Sequence, residues 1–220
     1  MHILKQINAF ILDMDGTLID SMGIWHEIDQ KFFAEHGLTP PAGLSDQVNK
    51  MTMQEWAAYF IQHFKISLTE SEIIQRIETL AAGYYQNIIQ AKPYLMEFLD
   101  FLDQKHIPYG IATATYKSSA KAVLARLGIL DRMQFILTAE DIPSCKKNPD
   151  MFLAACDKLG SDPAHTCILE DSLHCIQTAK QAGFFTIAVY DPHTPAKDWQ
   201  EMQKISNLSG EDLQEIILKL

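Results

Sequence analysis

Ile7-Asn8-Ala9-Phe10-Ile11-Leu12-Asp13-Met14-Asp15-Gly16-Thr17 is the stretch from which the fold is read. A short, partly β-branched apolar run stops abruptly at two acids, a glycine and a hydroxyl. That is the pattern of a buried strand running into a loop, not of a helix. From Met22 to about Gln90 the rhythm changes. Trp25-His26-Glu27-Ile28-Asp29-Gln30-Lys31-Phe32-Phe33 carries apolar residues at helical spacing. Similar patterns recur in 52–64 and 70–90, with Thr39-Pro40-Pro41 and Ser67-Leu68-Thr69 as breaks. Thr69 followed by Glu72 reads as a helix start, a capping hydroxyl with Glu three residues on.

Beyond Pro93 helices and strands alternate. The expected helices are 93–105, 118–127 (stopped by Gly128), 149–159 and 172–182 (stopped by Gly183). Between and after them fall short apolar strands at 109–112, 135–138, 166–169 and 185–189. Continuous apolar strands alternating with helices predict an α/β fold, a doubly wound parallel sheet covered on both faces. The strand at 7–12 belongs to that sheet. The expected organisation is therefore a discontinuous core of 1–20 and 91–220, interrupted by an all-helical block at 21–90. No repeat or low-complexity segment is present.

Composition excludes several classes. The chain has 220 residues, 47% hydrophobic and 21% charged, with 28 acids against 18 bases and a net charge of −10. Such a balance argues against nucleic acid or an anionic membrane as partner, since both favour a basic face. A small anionic substrate is still allowed, because a bound divalent cation inverts the local field. Cys145, Cys156, Cys167 and Cys175 form no C-x-x-C pair, so they read as buried free thiols of a reducing cytoplasm rather than zinc ligands. Asp13 halts the first apolar run far short of an export signal, and no run approaches the ~18 residues of a membrane span. With no heptad or self-complementary patch legible, a monomer is expected, oligomeric state being otherwise open.

In a doubly wound sheet, ligands gather at the carboxyl ends of the strands. Asp13, Asp15, Gly16 and Thr17 follow the first strand, Thr113 and Thr115 the second, and Glu170 and Asp171 the fourth; Lys146 lies in the loop after the third. Carboxylates at a strand end can hold one hard cation while another oxygen reacts. An Asp carboxylate can attack phosphorus and form an acyl phosphate, and a second Asp two residues on can serve as acid and then base. Lys146 and Thr113 would hold the phosphoryl oxygens, and Gly16 would let the backbone approach the ligand.

These residues carry a resemblance. Phe10-Ile11-Leu12-Asp13-Met14-Asp15-Gly16-Thr17-Leu18-Ile19-Asp20-Ser21 resembles the first motif of the haloacid dehalogenase-like hydrolases. Ile111-Ala112-Thr113-Ala114 is similar to the second motif, and Lys146 with Pro149, Asp150 and Phe152 to the third. Ile168-Leu169-Glu170-Asp171-Ser172 followed by Ala179-Lys180-Gln181-Ala182-Gly183 is similar to the fourth. The order is that of the family across the whole chain, and the helical insertion after motif one matches the phosphoglycolate phosphatase and β-phosphoglucomutase subfamily. The resemblance implies a Rossmann-like core and a Mg²⁺-dependent phosphatase acting on a small phosphorylated metabolite through an aspartyl phosphate. It implies Asp13 as nucleophile and metal ligand, Asp15 as acid/base and ligand through its backbone carbonyl, and Asp171 as a further ligand. Glu170 would join the metal shell or orient it. Gly16, Thr17 and Ala114 are expected on the substrate side of the core, with Trp25, His26, Lys50 and Gln54 setting specificity from the cap.

Bland readings stand beside these. Asp13 and Asp15 could be turn formers, Thr113 a buried strand threonine, and Lys146 a solvated loop residue. His174 reads as packing or solvated rather than catalytic, and the stripe Trp56, Tyr59, Phe60, His63, Phe64 as core. In the third motif the family usually has proline after lysine and this chain has Lys147, which could replace Lys146; the spacing to Pro149 favours Lys146. A mutase of the β-phosphoglucomutase kind would use a cap arginine and histidine. Gapless comparison puts Gln54 and Trp25 at those positions, and Arg76 is the one arginine of 21–90. A third alternative is a regulatory protein that keeps a dead site, although no acid or lysine of the motifs is missing.

Overall fold

In the computed structural model, which describes residues 3–41, 43, 44, 48 and 51–220, the apolar run forms strand β1, Ala9–Leu12, with every residue buried. Its neighbours are β4, Tyr109–Ala112, on one side and β6, Thr166–Glu170, on the other, both parallel to it. β5, Ile136–Leu137, flanks β4; β7, Phe185–Val189, and β8, Leu208–Gly210, continue the sheet beyond β6. The order is β5-β4-β1-β6-β7-β8, all parallel, as the continuous apolar strands predicted. β1 is central because it is apolar on both faces, and its end is where the chain's first motif lies.

The helices of this part are α4 (Leu95–Gln104), α5 (Lys117–Arg126), α6 (Asp150–Lys158), α7 (Leu173–Gln181), α8 (Ala196–Ile205) and α9 (Leu213–Lys219). α8, β8 and α9 lie beyond 185–189, the last strand expected from the sequence. Leu208-Ser209-Gly210 is too short and too polar to be recognised as a strand without its partner β7. Ser172 precedes α7, but its hydroxyl accepts no backbone N–H as a cap and meets His174 Nδ1 at 2.7 Å instead.

Between β1 and β4 lie α1 (Met22–Glu35), α2 (Met53–Phe64) and α3 (Glu70–Asn87). Thr69 and Glu72 form the expected reciprocal cap of α3, and Thr52 and Glu55 form a second one on α2. The helices close on an aromatic cluster in which Phe60 lies 5.8 Å from Phe32, 5.1 Å from Phe33 and 4.1 Å from Trp56. Of the stripe expected as core, Trp56 and Phe60 are buried and Tyr59 and Phe64 pack half-buried against them, whereas His63 is exposed and stacks on Tyr59. Helix was expected to 90, but it ends at Asn87. Gln90–Ala91 forms β3, paired antiparallel with β2, Ile19–Asp20. This two-stranded ribbon carries the chain out to the helices and back. Lys92, just past it, donates its backbone N–H to Leu18 O at 2.9 Å and ion-pairs with the fully buried Asp191 beyond β7. All four cysteines are buried and unpaired. Among the described residues no helix is long and apolar enough to cross a membrane.

One buried acid in the insertion has no evident function. The carboxyl of Asp29 on α1 makes no hydrogen bond with any described residue, and burial pushes it up to about 7 from 3.8. Between those two values the folded state keeps a proton that the unfolded chain has lost, so this group weakens the fold as pH rises from about 4 to about 7. Asp29→Asn removes the titration. Its denaturant midpoint should exceed that of wild type at pH 8, with the margin shrinking steadily towards pH 4; a pH-independent margin would refute the assignment.

Candidate active site

The carboxyl ends of β1 and β6 deliver the acids. Pairing persists one residue past the strand, as the Asp13 amide donates to Leu169 O at 3.0 Å, so Asp13 and the Glu170-Asp171 pair are held side by side. One carboxylate oxygen of each lies within 4.8 Å of the others, and all three residues are buried. Lys146, itself buried, reaches in from the loop after β5. Its ammonium bonds to Asp13 Oδ1 and to Glu170 Oε1, the latter at 2.7 Å. The other Glu170 oxygen accepts the Ser172 amide at 2.8 Å, and Asp171 Oδ1 accepts the Thr17 hydroxyl at 3.0 Å.

Electrostatics follow from three acids around one base. Burial raises Asp13 to about 6, with Lys146 pulling against it and Glu170 pushing further. Burial, then Glu170 and Asp13, raise Asp171 well above the ordinary carboxylate range. Burial alone would lower Lys146, but Asp13 and Glu170 outweigh it and hold the ammonium firmly charged. Gly16 has φ +83°, and a Cβ there would stand 2.3 Å from Asp171 Oδ2. Glycine at 16 thus satisfies both the turn and the close approach.

Asp15 has a different environment. Its Oδ1 accepts from Ser21 at 2.7 Å and from the Tyr85 phenol at 2.5 Å. Its Oδ2 accepts from Thr115 at 2.7 Å and Thr113 at 3.2 Å. Burial and the neighbouring Asp13 raise this carboxyl. The Thr113 hydroxyl, expected on phosphoryl oxygen, here meets Asp15 and also accepts the Thr115 amide at 3.0 Å.

Tyr85 was missed. It ends an amphipathic helix as one of two adjacent tyrosines, and periodicity marks such a residue only as core. Its contact with Asp15 spans 70 residues of sequence. The cap candidates fare differently. Trp25 is half-buried against the hydrophobic core; His26 and Gln54 are exposed and their side chains make no hydrogen bond with described residues; Lys50 lies outside the described residues. Ala114 is exposed at the edge after β4. Lys147 points away from the acids and pairs on the surface with Glu55 at the start of α2.

Residues 10–189 match the haloacid dehalogenase-like hydrolase family. The chain belongs to that family. It is 27% identical over 187 residues to an N-acetylmuramic acid 6-phosphate phosphatase of Pseudomonas aeruginosa, covering 84% of this chain and 82% of the relative. It is also 27% identical over 194 residues to hexitol phosphatase B of Escherichia coli, covering 86% of each. Among solved structures, CbbY of Rhodobacter sphaeroides in complex with phosphate superposes with a TM-score of 0.80 at 21% identity, covering 96% of both chains. β-Phosphoglucomutase of Clostridium difficile gives 0.79 at 20% identity, covering 97% of this chain and 96% of that one. These structural likenesses establish the Rossmann-like fold with its helical insertion, as the motif order predicted. The expectation of a hydrolytic enzyme of this family is borne out.

The two adjacent lysines give a test. Lys146→Ala deletes the one base among the buried acids and should lower kcat/KM for a phosphate monoester by about a hundredfold or more. Lys147→Ala, which breaks an exposed pair, should change it by less than about threefold. The opposite ranking in steady-state kinetics would assign the loop's functional lysine to position 147.

Proposed function

We propose that this haloacid dehalogenase-like phosphatase hydrolyses a small organic phosphate monoester, with Asp13 as nucleophile and Asp15 as acid/base. The observation that carries it is the pairing of two unlike carboxylates two residues apart: Asp13 among acids and Lys146, Asp15 among hydroxyls. In the proposed reaction an Asp13 oxygen bonds to phosphorus as the ester P–O bond breaks, and Asp15 gives its proton to the departing oxygen. Water then bonds to phosphorus, Asp15 takes its proton, the acyl P–O bond breaks, and inorganic phosphate leaves. Lys146 would neutralise charge on the transferring group.

The donor set fits a hard divalent cation. Three buried carboxylates, with one oxygen of each within 4.8 Å of the others, share one ammonium, and burial first and neighbouring acids second raise Asp13 and Asp171. Asp13, Asp171 and the Asp15 backbone carbonyl would hold Mg²⁺, with Glu170, both of whose oxygens are already engaged, contributing or orienting. When bound, such a cation neutralises phosphoryl charge.

Residues 21–90 are proposed as a cap over a core of 1–20 and 91–220, admitting substrate when displaced and excluding water when seated. Substrate contacts from Gly16, Thr17 and Ala114 on the core and Trp25, His26, Lys50 and Gln54 on the cap belong to this reading. The relatives' names support a phosphorylated sugar or polyol as substrate, and the four unpaired cysteines support a cytoplasmic setting. A mutase would hold a second phosphate with a cap cation. Arg76 is instead bonded to Glu35, with Nε at 2.7 Å from Oε2, on an exposed face. Hydrolysis is therefore the better reading, and no bisphosphate primer is expected to be needed.

Phosphate release from a panel of sugar, polyol and aryl phosphates should require Mg²⁺ and cease with excess chelator. Asp13→Asn should keep the wild-type melting profile yet lose at least about a thousandfold in kcat, an amide being unable to form the acyl phosphate. Chelator-resistant turnover would overturn the metal assignment, and an Asp13→Asn variant within tenfold of wild type would overturn the nucleophile.

A further inference from the structure

Tyr85 belongs to none of the four motifs, yet it touches the proposed acid/base directly. It lies in the last turn of α3, fully buried, with its hydroxyl 2.5 Å from Asp15 Oδ1 and 3.2 Å from Thr115 Oγ1. A carboxylate oxygen has two lone-pair positions. Ser21 and Tyr85 fill those of Oδ1; Thr113 and Thr115 fill those of Oδ2. The carboxylate therefore cannot rotate without giving up a bond, and one of the four donors must yield before Asp15 can serve a leaving oxygen. Thr113 and Thr115 come from the loop after β4, whereas Ser21 and Tyr85 come from the start of α1 and the end of α3. The inserted helices thus hold one oxygen and the sheet the other.

A buried phenol needs some partner merely to be satisfied, and a remote carbonyl would serve. Here both partners lie on the carboxyl edge of the sheet, and one is the residue that would move the proton. We propose that Tyr85 is a positioning residue for Asp15: its phenol fixes the carboxylate from the insertion side, so that seating of α3 sets the acid/base relative to the Asp13 cluster. This rests on the reading of Asp15 as acid/base.

The test uses the leaving group. kcat/KM reports the step in which the leaving oxygen departs. An alkyl phosphate needs a proton at that oxygen, whereas 4-nitrophenyl phosphate, with its weakly basic leaving group, does not. Tyr85→Phe should lower kcat/KM for the best alkyl phosphate by about tenfold or more, and for 4-nitrophenyl phosphate by less than about threefold, within the ~10²–10⁴ a general acid contributes. Asp15→Asn should give the same pattern more strongly, and the double variant should be no worse than Asp15→Asn alone. Should the Phe variant fail to fold, Tyr85→Met deletes the same hydroxyl and should show the same split. Equal losses on both substrates, no loss on the alkyl phosphate, or additive losses in the double variant would overturn the proposal. If Asp15→Asn is leaving-group dependent and Tyr85→Phe is not, the positioning role alone fails. If Asp15→Asn itself shows no such dependence, the acid/base reading falls first.

Discussion

Burial of three carboxylates around one ammonium is the constraint on which the rest of this molecule depends. A charge removed from water must be paired and hydrogen-bonded or it disfavours the fold. Lys146 answers Asp13 and Glu170, the Ser172 amide answers the second Glu170 oxygen, and Thr17 answers Asp171. The cost of burying these acids is visible in the raised carboxyls of Asp13 and Asp171, which burial pushes up first and neighbouring acids second. Such a cluster is held only by a rigid frame, and β1 and β6, adjacent and buried along their length, provide it. Gly16 follows from the same constraint, because any side chain there would collide with Asp171.

The loop after β1 separates two acids that sequence places two residues apart. Asp13 faces a lysine and two acids; Asp15 faces four hydroxyls. Unlike surroundings are what divide one residue type into different chemical roles. The helical insertion takes part in that division. It leaves and re-enters through the β2–β3 ribbon, packs around its own aromatic cluster, and reaches the core edge through Tyr85 on one side and the Glu55–Lys147 surface pair on another.

Local pattern was enough for most elements. The strands at 109–112 and 185–189 stand where the apolar runs end, and the reciprocal cap of Thr69 and Glu72 is formed. What escaped is what pairing creates. β2, β3 and β8 are two or three residues long, with no periodicity of their own, and exist as strands because Ile19 meets Ala91 and Leu208 meets Ile187. The helix expected to reach 90 stops at Asn87 for the same reason, its continuation being taken by the ribbon.

The sequence by itself determined the class of sheet, the order of the motifs and the set of acids and lysines at its carboxyl edge, because buried parallel strands leave an unbroken apolar signature and their ends are marked by polarity. Tertiary structure alone decided the partners. It sent Lys146 to the acids and Lys147 to Glu55, identical residue types one position apart whose fates depend on which way the loop faces. It also brought Tyr85 to Asp15 across 70 residues, a contact made by packing α3 against the core and carried by no local pattern, since a buried tyrosine and a functional one have the same helical periodicity.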